Sequence, residues 1–134
     1  MKLVATILFF ICVVKSGFSQ SKEFYNTYFN GNGLVSEGQY DKAIEKYNLA
    51  LKEYQADYVY FNRGNAYFGK KNYGNALTDY NKAIQMNDEY AEAYYQRALT
   101  KYNMGDKNGC CDDLKKASKM KMDCANNDHK KYCK

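Results

Sequence analysis

The feature that most constrains this chain is a 34-residue period, because a repeat of that length settles the architecture before any single residue is read. The stretch 57–90, DYVYFNRGNAYFGKKNYGNALTDYNKAIQMNDEY, meets a second copy of itself when it is slid 34 residues along. Counted from its first residue, Tyr60, Gly64, Tyr73, Ala76, Tyr80 and Ala83 hold positions 4, 8, 17, 20, 24 and 27. Large and small residues alternate there at the spacing that locks two antiparallel helices together, with Gly64 and Ala76 small where the backbones cross. A weaker copy precedes it at 24–56, carrying Gly31, Leu34, Gly38, Tyr40, Ala43, Tyr47 and Ala50 at matching places. A third lies at 91–122, with Tyr94, Ala98, Gly105, Leu114 and Ala117 in register and Cys110 in place of the alanine at position 20.

Each copy therefore predicts a helix pair. In the first, Ala43, Tyr47, Ala50 and Leu51 form one apolar face of a helix over 40–54. Its other helix contains Asn30-Gly31-Asn32-Gly33, and two mid-helix glycines cost roughly 1 kcal/mol each relative to alanine, so a frayed terminal repeat is expected. Ala43 and Ala76 are 33 apart, one residue short of the period. The missing residue falls near Gln55-Ala56, in a turn, where length changes are tolerated. In the second copy Asn72 is placed to cap its second helix. Residues 123–134 read as a short polar helix covering the last apolar face, as a stack of helix pairs requires. The fold class is all-α, three antiparallel helix pairs and a C-terminal capping helix.

Residues 1–19 are of a different kind. Met1-Lys2 leads into an apolar run from Leu3 to Val14, followed by Lys15-Ser16-Gly17-Phe18-Ser19. A basic start, a short apolar core and small residues at Gly17 and Ser19 describe a secretory signal peptide cut after Ser19. The competing reading, a membrane anchor, needs about 20 apolar residues, and this run falls well short. Cleavage would leave no stable membrane span and an exported product, periplasmic or extracellular. The full chain carries 20 basic and 15 acidic residues, a net charge of +5. Removing Lys2 and Lys15 lowers this to 18 against 15, or +3. So small and evenly spread an excess argues against nucleic acid as a partner, which needs a basic patch or stripe.

Gly64, Tyr67, Tyr73, Ala76, Tyr80 and Ala83, with their counterparts in the next copy, resemble the tetratricopeptide repeat, and the resemblance runs over 24–122. The proline that usually closes each repeat is absent, Asp88 standing in its place in the second copy. The ending, Gly109-Cys110-Cys111 with Tyr132-Cys133, looks like secreted bacterial members of the family. The resemblance implies a superhelix in which the first helices of successive pairs line a concave groove. Positions 5, 6, 9 and 12 would point into it, giving Tyr28, Asn32, Phe61, Asn62, Asn65, Phe68, Tyr95, Gln96 and Tyr102 as candidate groove residues. Aromatic rings beside amides suit an extended peptide, the rings covering apolar side chains while Asn and Gln bond peptide N–H and C=O groups. Some members of the family grip the carboxylate tail of heat-shock chaperones with a five-residue clamp. Asn32 and Asn62 match two of its places, but Tyr28, Glu92 and Gln96 stand where it needs cations. That ligand is not expected here. Arg63 and Arg97 recur at position 7, where their stems are expected to lie along apolar surface with the heads in water.

Beyond residue 19 there are four cysteines, Cys110, Cys111, Cys124 and Cys133. An even count in an exported chain points to disulfides. If helices over 106–120 and 123–133 run antiparallel, Cys111 and Cys133 finish at the same height, with Cys110 the second choice for the bridge. A metal site from these cysteines and His129 is the competing reading, weakened by the lack of a C-x2-C pair. The sole histidine lies among lysines, and no phosphate-cradling glycine loop or paired acid and base is present, so no catalytic residues and no cofactor are expected. The reading is a protein-interaction module binding a peptide or helix in its groove. A structural scaffold subunit of an envelope complex and a Cys/His metal-binding or redox protein are the alternatives.

Overall fold

The computed structural model describes residues 22–133; the expected signal peptide, 1–19, lies outside the described residues. Among those described, the chain forms seven helices and no strand: α1 (22–36), α2 (Tyr40–Glu53), α3 (Asp57–Gly69), α4 (Tyr73–Met86), α5 (Ala91–Asn103), α6 (Lys107–Lys119) and α7 (Asp123–Tyr132). From α2 onward each helix packs on the next, and α3 also touches α5, so odd-numbered helices form one layer and even-numbered helices the other. No helix among the described residues is long and apolar enough to cross a membrane.

Identical turns give each pair its angle. At position 15 of every copy the backbone is left-handed: Gly38 at φ 73°, Lys71 at φ 61° and Gly105 at φ 85°. The N–H of the next residue then reaches back to the helix end, from Gln39 to Leu34 (2.8 Å), Asn72 to Tyr67 (2.9 Å) and Asp106 to Lys101 (2.9 Å). This Schellman geometry satisfies carbonyls that the helix end leaves open. Lys121, at φ 65°, repeats the device between α6 and α7. The second helix of the pair starts at once, with Asn72 accepting from the Asn75 N–H and Asp106 from the Gly109 N–H.

The core lies between the layers and is built of the repeat's small and large residues. Ala43, Ala76, Ala83, Ala98 and Ala117 are fully buried, as are Tyr80 and Leu114. Gly64 is small for a different reason from a close backbone crossing. A Cβ there would lie 2.8 Å from the Tyr80 ring, and one at Gly31 would lie 2.7 Å from the Tyr47 ring. The glycine accommodates a tyrosine from the partner helix. Each tyrosine then donates its hydroxyl to the amide of the residue after the glycine, Tyr47 to Asn32 Oδ1 and Tyr80 to Asn65 Oδ1, both at 2.7 Å. The expectation of a frayed first helix is thus corrected. Gly31 is buried beneath Tyr47, and α1 runs unbroken through it to residue 36.

Position 7 overturns a second expectation. Arg63 and Arg97 do not reach into water. Arg63 donates from Nε and Nη2 to both carboxylate oxygens of Asp79, at 2.8 and 2.7 Å, and from Nη1 to Asn48 Oδ1 at 2.6 Å. Arg97 does the same to Asp113 and Asn81. Each guanidinium also lies over a tyrosine ring, Tyr60 at 5.4 Å and Tyr94 at 5.2 Å. Every such arginine joins its own helix, its partner helix and the second helix of the preceding pair. Asp79 and Asp113 are buried acids held by this fork, and burial pushes the Asp79 carboxyl up against the pull of Arg63.

Candidate functional site: the concave face of α1, α3 and α5

Because successive first helices stack side by side, position 5 brings Tyr28, Phe61 and Tyr95 into one row, all half-buried. Their neighbours are more occupied with one another than the sequence suggests. Asn62 Nδ2 donates to the Tyr28 hydroxyl at 2.7 Å, a bond from α3 back to α1. Tyr95 repeats the arrangement toward α7, donating to Asp128 Oδ2 at 2.8 Å. Burial pushes the Tyr95 hydroxyl up to about 12, and the Asp128 carboxylate adds to the shift. Phe61 has no hydroxyl, and its ring packs instead on Tyr90 at 4.9 Å and Tyr80 at 5.9 Å. Gln96 Nε2 and Oε1 therefore meet no hydroxyl from the preceding helix.

The remaining candidates divide. Asn32 and Asn65 spend their amide oxygens on the core tyrosines, so they support the scaffold and leave only Nδ2 to face a ligand. Phe68 meets Tyr73 edge-on at 5.4 Å, and Tyr102, itself exposed, lies tilted against Tyr132 at 4.9 Å. At the other end Tyr25 and Phe29 are 53% and 61% exposed and lie against each other, with Phe29 also against Tyr28. Phe24, Tyr28, Tyr54 and Tyr58 continue this aromatic cluster around the start of α1.

Sequence reasoning missed Tyr90 altogether. It lies one residue before α5, among loop residues, and nothing in the 34-residue spacing marks it as part of the groove. It also missed the Arg–Asp–Asn ladder, although the signal was present as two Arg–Asp pairs each 16 residues apart.

At the far end α7 stands where a further first helix would stand. It buries only Ala125, and its end is tied to α6 by Cys111 and Cys133, whose sulfurs are 2.05 Å apart. Cys110 is buried and Cys124 exposed, both as free thiols. His129 is half-buried. Among the described residues no three His, Cys, Asp or Glu side chains gather as metal ligands would.

Family models match this architecture where the copies are strongest, a TPR repeat model over residues 64–105 and a tetratricopeptide repeat model over 91–123. This is a tetratricopeptide-repeat chain. The RNA polymerase II-associated protein 3 of Xenopus tropicalis is 35% identical over 91 residues, 67% of this chain but 14% of that protein. The chain thus spans about a seventh of that relative's length. Among solved structures, the first TPR of Spaghetti (RPAP3) bound to the HSP90 peptide SRMEEVD superposes with a TM-score of 0.80 at 24% identity. The match covers 84% of this chain and 92% of that one. The second TPR domain of human RPAP3, in complex with the HSP70 peptide SGPTIEEVD, gives a TM-score of 0.79 at 24% identity, with 86% and 98% covered. At that identity the likeness establishes the fold of the repeats and nothing about their ligand.

Proposed function

We propose that this chain is an exported interaction module that takes a peptide or helix of a partner protein along the concave face of α1, α3 and α5. One observation carries the reading. Tyr25, Phe29 and Tyr102 are large apolar side chains left 53%, 61% and 42% exposed on the helices that bear the aromatic row. Tyr25 and Phe29 lie against each other as an exposed apolar patch at one end of this face, the kind of surface that marks an interaction site, and Tyr102 is exposed at the other end. The RPAP3 domains of the same fold, solved with HSP90 and HSP70 peptides, support peptide binding as the activity, but not the same ligand. Asn62 is engaged with Tyr28, Asn32 with Tyr47, and Tyr28, Glu92 and Gln96 supply no cation for a terminal carboxylate.

In this proposal residues 1–19 are removed on export, 24–122 form the three repeats (24–56, 57–90 and 91–122), and 123–134 close the stack. The Cys111–Cys133 bridge suits an oxidising compartment such as the periplasm or the extracellular space. The secreted bacterial type is part of the same proposal.

The test uses side chains whose removal leaves the core intact. Phe61→Ala and Tyr95→Ala would disturb internal packing, whereas Phe29→Ala with Gln96→Ala removes groove chemistry from side chains with no buried partner. Crosslinking to envelope proteins should be lost in the double variant with thermal melting unchanged. Crosslinks that persist undiminished would move the contact to another face and favour the scaffold reading. N-terminal sequencing of the exported protein should begin at Gln20, and an intact Met1 would refute cleavage.

A further inference from the structure

We propose that the outer face of α1 pairs with the same face of a second copy of this chain, antiparallel about a two-fold axis at Phe29. The proposal goes beyond the groove reading and gives the exposed N-terminal end of the stack a partner of its own. Within the molecule, positions 2 and 6 of a first helix serve the first helix before it. Tyr58, at position 2 of its copy, packs its ring on Phe24 at 6.4 Å and on Tyr28 at 5.1 Å. Asn62, at position 6, donates to the Tyr28 hydroxyl. In α1 these positions are Tyr25 and Phe29. Among the described residues no helix precedes α1, and both rings are exposed. A stack of repeats ordinarily ends on a polar face, as α7 provides at the other end. The first end is aromatic.

Gly33 indicates what fits there. Tyr25, Phe29 and Gly33 are spaced by four and lie along one exposed stripe of the helix. A glycine inside a helix costs stability, and at Gly31 and Gly64 the reason is a tyrosine ring from the partner helix, 2.7 and 2.8 Å from where a Cβ would stand. Gly33 has no such reason within the chain, because a Cβ there would meet nothing within 4 Å. It is a notch of the same kind with no ring in it. An antiparallel two-fold at Phe29 sets Tyr25 of each copy opposite Gly33 of the other, and the two Phe29 rings against each other.

The charges agree with this register. Lys22 lies at one end of the stripe and Glu37 just past the other, so the same operation brings Lys22 of each copy to Glu37 of the second. Both are exposed, and neither makes an ion pair among the described residues. A parallel pairing would set like charges together at both ends. Head-to-tail stacking would put the two rings against the polar α7. A closed two-fold contact, the commonest in oligomers, satisfies both rings and charges. Two half-exposed rings per copy fall short of the roughly 800 Å² that each partner buries in a standard interface, so the dimer is a weak one.

The test is sedimentation equilibrium of the Cys124→Ser protein, which cannot form an intermolecular disulfide through that exposed thiol. A monomer–dimer equilibrium with a dissociation constant of roughly 10–100 µM is expected. Gly33→Leu fills the notch where the monomer has open space, so it should weaken dimerisation at least about tenfold without lowering the melting temperature. Lys22→Glu should weaken it by about three- to tenfold, and adding Glu37→Lys should restore it, the pair re-forming with its charges exchanged. A chain that stays monomeric, a dimer that Gly33→Leu leaves unchanged, assembly beyond two copies, or a charge exchange that restores nothing would each overturn the pairing. The two readings fail separately. Gly33→Leu leaves Phe61, Gln96 and Tyr102 in place, so its crosslinks to envelope proteins should persist. Crosslinks absent from both the parent and Gly33→Leu would remove the groove reading and leave the dimer standing.

Discussion

The second and third helix pairs have the same turn geometry and the same Arg–Asp–Asn ladder, yet they fill their crossings with different residues. In α3 and α4 the set is Gly64, Asn65 and Tyr80; in α5 and α6 it is Ala98, Leu99 and Leu114. The differences compensate. A tyrosine at position 24 needs a glycine to clear its ring and an amide to accept its hydroxyl. A leucine there needs neither, and alanine and leucine fill the space. The first pair, with Gly31, Asn32 and Tyr47, matches the second. The repeat thus constrains these places as a set, while the arginine fork is needed wherever one pair stacks on another.

The fork should give the largest effect, because it is common to both pairs. Arg97→Met leaves the buried Asp113 carboxylate with Lys101 alone, and Arg63→Met strands Asp79. Removing one partner of a buried pair typically costs about 3–5 kcal/mol. Urea unfolding should show losses of that order at both sites, and a loss confined to one would end the claim that the two forks are equivalent. Lys46, at the Asp79 place in the first pair, is half-exposed and carries no fork. Lys46→Ala should change stability by less than about 0.5 kcal/mol.

The two pairs also differ in the helix that comes after them. After the second comes α5, which buries Ala93, Tyr94, Ala98 and Thr100; after the third comes α7, which buries Ala125 alone. A helix so poorly packed depends on its covalent tie. Cys111 and Cys133 are 22 residues apart, and closing such a loop stabilises by roughly 3 kcal/mol on the chain-entropy estimate. Cys133→Ser should speed hydrogen exchange across 123–133 and leave α3 and α4 protected. Equal loosening of both regions would mean that the cap is integral to the whole stack.

Exchanging the crossing sets tests the compensation itself. Gly64→Ala puts a methyl group 2.8 Å from the Tyr80 ring and should cost about 1–3 kcal/mol, the usual range for overpacking. Adding Asn65→Leu and Tyr80→Leu converts the second set into the third, and the triple variant should recover to within about 1.5 kcal/mol of the parent. A triple variant worse than Gly64→Ala alone would show that the sets are not interchangeable modules.

How much of this was legible in the sequence depended on whether a residue's partner lies at a fixed offset. The helix pairs, the turns and the cap at Asn72 are local, so the 34-residue spacing displays them. The role of Gly64 was half visible: its smallness was evident, but the ring it makes room for belongs to Tyr80 on the partner helix. Arg63 and Arg97 looked like ordinary amphipathic side chains because no single helix contains their acids. The groove was the least legible part. Asn32 and Asn65 occupy a column that the repeat spacing directs to the concave face, yet their amide oxygens turn back to the core, and the same spacing serves both uses. Tyr90 belongs to the groove through packing on Phe61, a contact between a loop and a helix that no repeat position records.

A smaller effect than the exchange of crossing sets concerns the turn, where the second pair departs from its neighbours. The left-handed residue is Gly38 in the first pair and Gly105 in the third, but Lys71 in the second. A side chain in that conformation costs roughly 1–2 kcal/mol through crowding of Cβ against the backbone. Lys71 is exposed, so its side chain offers little in return. Lys71→Gly removes the strain, while the more flexible unfolded chain takes back part of the gain. The net expectation is a stabilisation of about 0.5–1 kcal/mol, read as a higher urea midpoint with an unchanged slope. Gly105→Lys should lose a comparable amount, since it installs in the third turn what the second tolerates. If Lys71→Gly is instead destabilising, Lys71 holds something outside its own turn, and the three turns are not equivalent.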